Sequence, residues 1–91
     1  MYLEIVSPEA TLVTGTVESV TVPGVNGEFQ MLNNHTAIVS TLEKGKVKFS
    51  GNPSIAEGHD NKFSQEDGKW VLHISSGTIE MKDNKVIILT D

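Results

Sequence analysis

The amino-acid sequence predicts an all-β fold, a flattened sandwich or barrel of two largely antiparallel sheets built from about eight to ten short strands. Two observations carry that expectation, and a third bears on its core. Apolar and polar residues alternate with period two from end to end, and no stretch keeps the i, i+3, i+4 spacing of an amphipathic helix for three turns. Turn-forming residues punctuate the alternation at short intervals. Aromatic residues make up only 5% of the chain, so the core of such a fold must rest on Val, Ile and Leu.

Each element follows from its own residues. In "YLEIVS" Leu3 and Ile5 share a face, and in "EFQML" Phe29 and Met31 do. "KVKFS" turns Val47 and Phe49 inward against Lys46 and Lys48, the pattern of a strand with one wet side. "WVLHIS" sets Trp70, Leu72 and Ile74 opposite Val71, His73 and Ser75. "KVIILT" runs apolar from Val86 to Leu89, which predicts a strand covered on both faces or lying at an interface. Glu43-Lys44-Gly45, Asp67-Gly68 and Asp83-Asn84 tolerate positive φ between alternating runs, and each predicts a hairpin. "SGNPSIAEGHDNKFSQE", from Ser50 to Glu66, is rich in Gly, Asn, Ser and charge; it predicts a long, mobile polar loop around 50–68, with a strand able to begin only at Lys62 to Gln65.

Composition narrows the function. At 91 residues the chain fits one domain spanning 1–91, with one modest core. The net charge is −5 and arginine is absent, so the planar fork that grips phosphates and guanines is missing and nucleic acid is a poor partner. Anionic lipid is disfavoured for the same reason of charge. Cysteine is absent, which excludes disulfides and thiolate metal sites. "MYLEIV" has no basic region before an apolar run, and no apolar stretch approaches the roughly 18 residues of a membrane span. The expectation is a soluble, intracellular chain.

Nor do the residues assemble an evident reaction centre. His35, His59 and His73 show no HxH or HxxxH spacing, so no metal ligand is assigned. His73 and Ser75 lie two apart on a strand, roughly 6.5 to 7 Å along one face, too far for a serine to share its proton with an imidazole. Glu4, Glu18 and Glu80 sit on alternating strands, where isolated acids on a wet face are the ordinary case against a carboxylate-based hydrolase. "GVNGE" lacks the Lys-Ser/Thr and the helix of a phosphate loop, so no nucleotide site or cofactor is assigned. A free-standing module binding a small ligand or carbohydrate would have only Trp70 and Tyr2 as stacking surfaces.

"PGVNGEFQMLNNH", residues 23 to 35, combines a tight glycine excursion, a short strand and an asparagine-rich bend. Together with "LEIVSPE" at 3–9, Gly15 with "VESVTVPGVNGEF" at 17–29, and "ISSGTIEMKDNKVIILTD" at 74–91, it resembles the β-sandwich domain of the epsilon subunit of F-type ATP synthases, over about two thirds of the chain in the expected order. Thr36-Ala37 stands where the family usually has Ala-Pro after the histidine, which loosens that turn, and Gln30 where a glycine is common. The helical hairpin with which many members continue has no counterpart in these residues.

The resemblance implies a non-catalytic rotor subunit of the central stalk, fastening the gamma subunit to the membrane ring of c subunits so that proton or sodium flow drives ATP synthesis. It implies a peripheral place on the cytoplasmic face of the bacterial inner membrane, reached only through the complex. By position in the family pattern it implies Glu28, Phe29, Gln30 and His35 in contact with the ring, and Leu12, Val13, Val39 and Ile79 in contact with gamma. Alternation alone serves a core reading of those four apolar residues equally well.

Overall fold

Period-two patterning needs strands, and strands fill the computed structural model, which describes residues 1–91. The elements in chain order are β1 Tyr2–Val6, β2 Thr11–Gly24, β3 Gly27–Leu32, β4 Ile38–Leu42, β5 Gly45–Gly51, β6 Ser54–Ile55, a 3₁₀ turn at Asp60–Lys62, β7 Phe63–Glu66, β8 Lys69–Ile74, β9 Gly77–Lys82 and β10 Lys85–Thr90. All pairings are antiparallel except β1 with β10.

The 14-residue β2 is the spine of the molecule. Its first half lies between β1 and β6, its second half between β3 and β5. The hydrogen-bonded sheet is therefore continuous but folds at β2 into two layers. The first layer runs β6-β2-β1-β10-β9-β4 and the second β3-β2-β5-β8-β7, with Gly24 opposite Leu42 closing one corner.

Two irregularities let one strand serve both layers. Val17 pairs with Gly51 and Ser19 with Ser50, which leaves Glu18 unopposed as a bulge. The extra residue changes parity: Val13 and Val17 are buried before it, Val20 and Val22 after it. At Gly15 φ is +141°, and Pro53 Cα lies 2.9 Å from where a side chain would begin, so only glycine fits the bend.

The core is a cluster of 18 buried residues drawn from both layers, led by Leu3, Ile5, Ile79, Met81, Val86 and Ile88 on one side and Val20, Val22, Val47, Phe49 and Leu72 on the other. Val, Ile and Leu dominate it, as the scarcity of aromatics requires. Each fully buried side chain of this size contributes roughly 1.5–3 kcal/mol.

Two expectations are corrected. The segment 50–68 is structured rather than a long loop: β5 extends to Gly51, β6 pairs Ile55 with Val13, and β7 pairs with β8. Phe63 anchors it by edge-to-face contacts at 6.1 Å to Phe49 and 6.5 Å to Trp70. Single apolar anchors in polar surroundings make no periodic signal. Of the three predicted hairpins, β7–β8 and β9–β10 form, with Asp67, Asp83 and Asn84 at positive φ, but Glu43-Lys44 carries the chain from one layer to the other, because β4 pairs with β9 and β5 with β2 and β8. Turn chemistry specifies a reversal, not which neighbour the strand finds afterwards.

Candidate docking surfaces

The residues expected at the ring lie along β3, an edge strand hydrogen-bonded only to β2. Cross-strand partners share a face, so Gln30, opposite Thr21, points outward with Glu28, whereas Phe29, opposite Val22, turns the other way. The Phe29 ring lies over Gly24, 2.7 Å from the point a side chain there would occupy, so any larger residue beneath it would displace the ring. Glu28 reaches toward Lys48 at 3.8 Å.

His35 follows the far end of the strand. Its amide donates to the Leu32 carbonyl at 3.2 Å and its ring Nδ1 lies 2.8 Å from the Thr36 carbonyl oxygen. Asn34, at φ 62°, donates its amide to Asn84 Oδ1 at 2.8 Å, and Asn33 Oδ1 accepts from the Met1 amino group at 2.5 Å. The turn without proline is thus tied to two neighbouring elements. Glu28 and Leu32 stand about 13 Å apart along the strand. The four candidates therefore form a line along one edge rather than a cluster. Val25 at the hairpin tip and Leu32, 56% and 55% exposed, belong to the same line. Leu32 shares the outward parity of Glu28 and Gln30, a signal legible in the sequence but passed over.

The candidates for gamma divide. Leu12, Val13 and Ile79 are 2%, 1% and 1% exposed and belong to the core, so they present no surface in this chain. Val13 and Ile79 face inward by register. Leu12 is buried because a bulge removes it from the alternation: Ile5 pairs with Val13 and Val6 with Thr11, leaving Leu12 between them. Val39, by contrast, is 77% exposed.

Val39 stands on the outer face of the first layer, where the register lays out three cross-strand rows. One is Thr41, Thr78, Leu89 and Val6; the next is Val39, Glu80, Ile87, Glu4 and Thr14; the third is Lys82, Lys85, Tyr2 and Thr16. Leu89 is 52% exposed, and Val6 and Ile87 are half-buried. Within an apolar run from Val86 to Leu89, Val86 and Ile88 thus enter the core while Ile87 and Leu89 face out. Val39 rises between two shallow concavities. One of about 280 Å³ is bounded by Ile87 and Leu89, the other of about 360 Å³ by Ala37, Ile38 and Lys82. Exposed apolar side chains grouped on one face of a small chain suit a contact surface.

The outer face of the second layer has a different character. Lys46 donates to both carboxylate oxygens of Glu66 at 3.1 and 3.0 Å, and this hydrogen bond holds the Glu66 carboxyl below the usual range. The pair crosses β8 diagonally over Val71, which is completely buried although it lies outside the core cluster. Trp70 packs against the core and Phe63, while Tyr2 lies on the opposite layer with Lys85 5.6 Å over its ring, so the two form no shared stacking platform. At one end of the sandwich, the Ser76 amide, the Thr90 hydroxyl and the Ser75 amide donate to the Asp91 carboxylate and hold its pKa below the usual range. No three histidine, aspartate or glutamate side chains converge in a metal-binding arrangement, and no helix is long and apolar enough to cross a membrane.

All 91 residues match the family described as ATP synthase, Delta/Epsilon chain, beta-sandwich domain. The ATP synthase epsilon chain of Lawsonia intracellularis is 35% identical over 91 residues, covering 100% of this chain and 58% of its own length. That of Chlorobaculum tepidum is 33% identical over 89 residues, covering 98% of this chain and 86% of its own. That of Leptospira interrogans is 37% identical over 89 residues, covering 98% and 59%. The chain therefore spans well under two thirds of some relatives and most of another. Among solved structures, the Tetrahymena thermophila mitochondrial ATP synthase central stalk/c-ring contains a chain that superposes with a TM-score of 0.72 at 15% identity, over 99% of this chain and 62% of that one. A chain of the Euglena gracilis mitochondrial ATP synthase does so with a TM-score of 0.71 at 23% identity, over 97% and 48%. At such identities the superpositions speak to fold, and the fold agrees with the family match. The chain belongs to the β-sandwich domain family of ATP synthase delta and epsilon chains.

Proposed function

We propose that this chain is the β-sandwich unit of a non-catalytic central-stalk subunit, one domain over 1–91, that ties the gamma subunit to the c-ring of a rotary ATP synthase and so couples ion flow to ATP synthesis. In this reading it acts at the cytoplasmic face of a bacterial inner membrane, held there by its partners and without a cofactor. The observation that carries the reading is the outer face of the first layer: Val39, Ile87 and Leu89 leave an apolar surface uncovered in a chain whose relatives are named ATP synthase epsilon chains. A lasting grip needs such a surface, because desolvation of apolar side chains at its centre supplies most of the binding energy. Gamma docks there, against Val39.

The line along β3 faces the ring. Glu28, Gln30 and His35 are polar and exposed there, suited to hydrophilic loops, with Phe29 stiffening the hairpin from behind. Size-exclusion chromatography of the chain mixed with the gamma subunit tests the proposal. Co-elution is expected; separate elution at micromolar concentrations of both would overturn it.

A further inference from the structure

We infer that the partner docked on the first layer lays a lysine or arginine side chain across Ile87, its charge between the carboxylates of Glu4 and Glu80, beside an apolar side chain seated against Val39 and Leu89. This rests on the gamma contact proposed above and specifies its chemistry.

Glu80, Ile87 and Glu4 are consecutive members of one cross-strand row, so the two acids flank Ile87 with their backbones about 10 Å apart. Neither acid enters a salt bridge; both ion pairs of the chain lie on the second layer. The lysines nearest in register, Lys82 and Lys85, occupy the neighbouring row, and Lys85 is turned over the Tyr2 ring. Glu80 also lines both concavities beside Val39, so a side chain seated in either one meets its carboxylate.

That arrangement constrains the occupant. A purely apolar partner would cover the acids without counter-charges, leaving desolvated carboxylates unpaired. An acidic partner would add repulsion. A long cationic side chain satisfies the whole row, because its methylene stem packs on Ile87 while its head stays between the carboxylates. Val39, Ile87 and Leu89 then supply adhesion, and the two carboxylates set the register at which the partner stops sliding.

The test is titration of the gamma subunit against the wild-type chain, Glu4→Gln, Glu80→Gln and the double variant, each at low and high salt. Glutamine keeps the side-chain shape, and an unchanged melting temperature verifies the fold. The double variant is expected to bind roughly fivefold to tenfold more weakly at low salt, with the salt dependence flattened. Wild-type affinity and salt slope in the double variant would overturn the cation placement. If Val39→Glu blocks binding while the double variant does not weaken it, the cation placement alone fails. If the wild-type chain does not bind gamma at all, the proposed contact fails with it.

Discussion

The two outer faces of this sandwich have similar backbones and opposite economies of charge. On the second layer, Lys46 with Glu66 and Lys48 with Glu28 answer one another, and Val71, which the register places between Lys46 and Glu66, is fully buried. On the first layer, Glu4 and Glu80 lack ion pairs, with Ile87 between them, while Val39 and Leu89 stand 77% and 52% exposed beside them. Around Val71 the charged groups of the second layer thus satisfy each other within the chain. A face that leaves apolar area and charge together unanswered is complementary to something else. The difference teaches that exposure of hydrophobic residues is informative when read with the pairing of their polar neighbours.

The comparison can be broken most forcefully at Val39 and Leu89. Replacing both with glutamate should weaken gamma capture at least about a hundredfold, since charge replaces the apolar centre of the contact. The melting temperature should move by only a few degrees, because both side chains already face solvent. A collapse in stability instead would make them structural and the face unremarkable.

Val71 offers the reverse test. Val71→Ala should destabilise by about 2 kcal/mol, lowering the melting temperature by roughly 8 to 16 °C in a chain of this size, and leave gamma affinity unchanged. Thermal melts and the same titration read both halves of that statement.

A finer question is which part of the Lys46–Glu66 pair protects Val71. Both side chains are more than a third exposed, so water screens the charge and the stem matters at least as much. Lys46→Met should therefore keep most of the stability that Lys46→Ala loses. Equal losses in the two variants, measured by denaturant unfolding, would assign the cover to the ion pair.

The smallest effect is with pH. Glu66 has its pKa lowered by the Lys46 hydrogen bond, so its contribution is present above the unfolded-state value of about 4.3 and fades as pH falls through the lower folded value. NMR titration of the Glu66 carboxyl should show a midpoint below that of a free glutamate, returning to the ordinary value in Lys46→Ala.

Much of this was legible beforehand. The alternation at Leu3 and Ile5, at Val47 and Phe49, and at Trp70 to Ile74 identified strands that the structure contains, and the whole-chain family match agrees with the resemblance seen in "VESVTVPGVNGEF" and "ISSGTIEMKDNKVIILTD". The surface assignments fared differently. A two-residue period marks which side chains share a face; it does not say whether that face meets the other layer or the solvent, and so Val13 and Ile79 could not be told from Val39. Leu12 was harder still, since its burial depends on a bulge set by the partner strand. In the segment 50–68, Ile55 and Phe63 each bury against strands distant in sequence, and a lone anchor has no period to detect.

What the sequence by itself determined is the local alternation, the places where the chain must turn, and a family pattern distributed along it. These depend on steric preferences of neighbouring residues. Only the tertiary structure decided that β2 serves two layers, that Val71 is buried on an outer face, and that Ile87 lies between two unpaired carboxylates. Each of those is a matter of register between strands far apart in the chain, and a shift of one residue would have turned every one of those side chains to the opposite face.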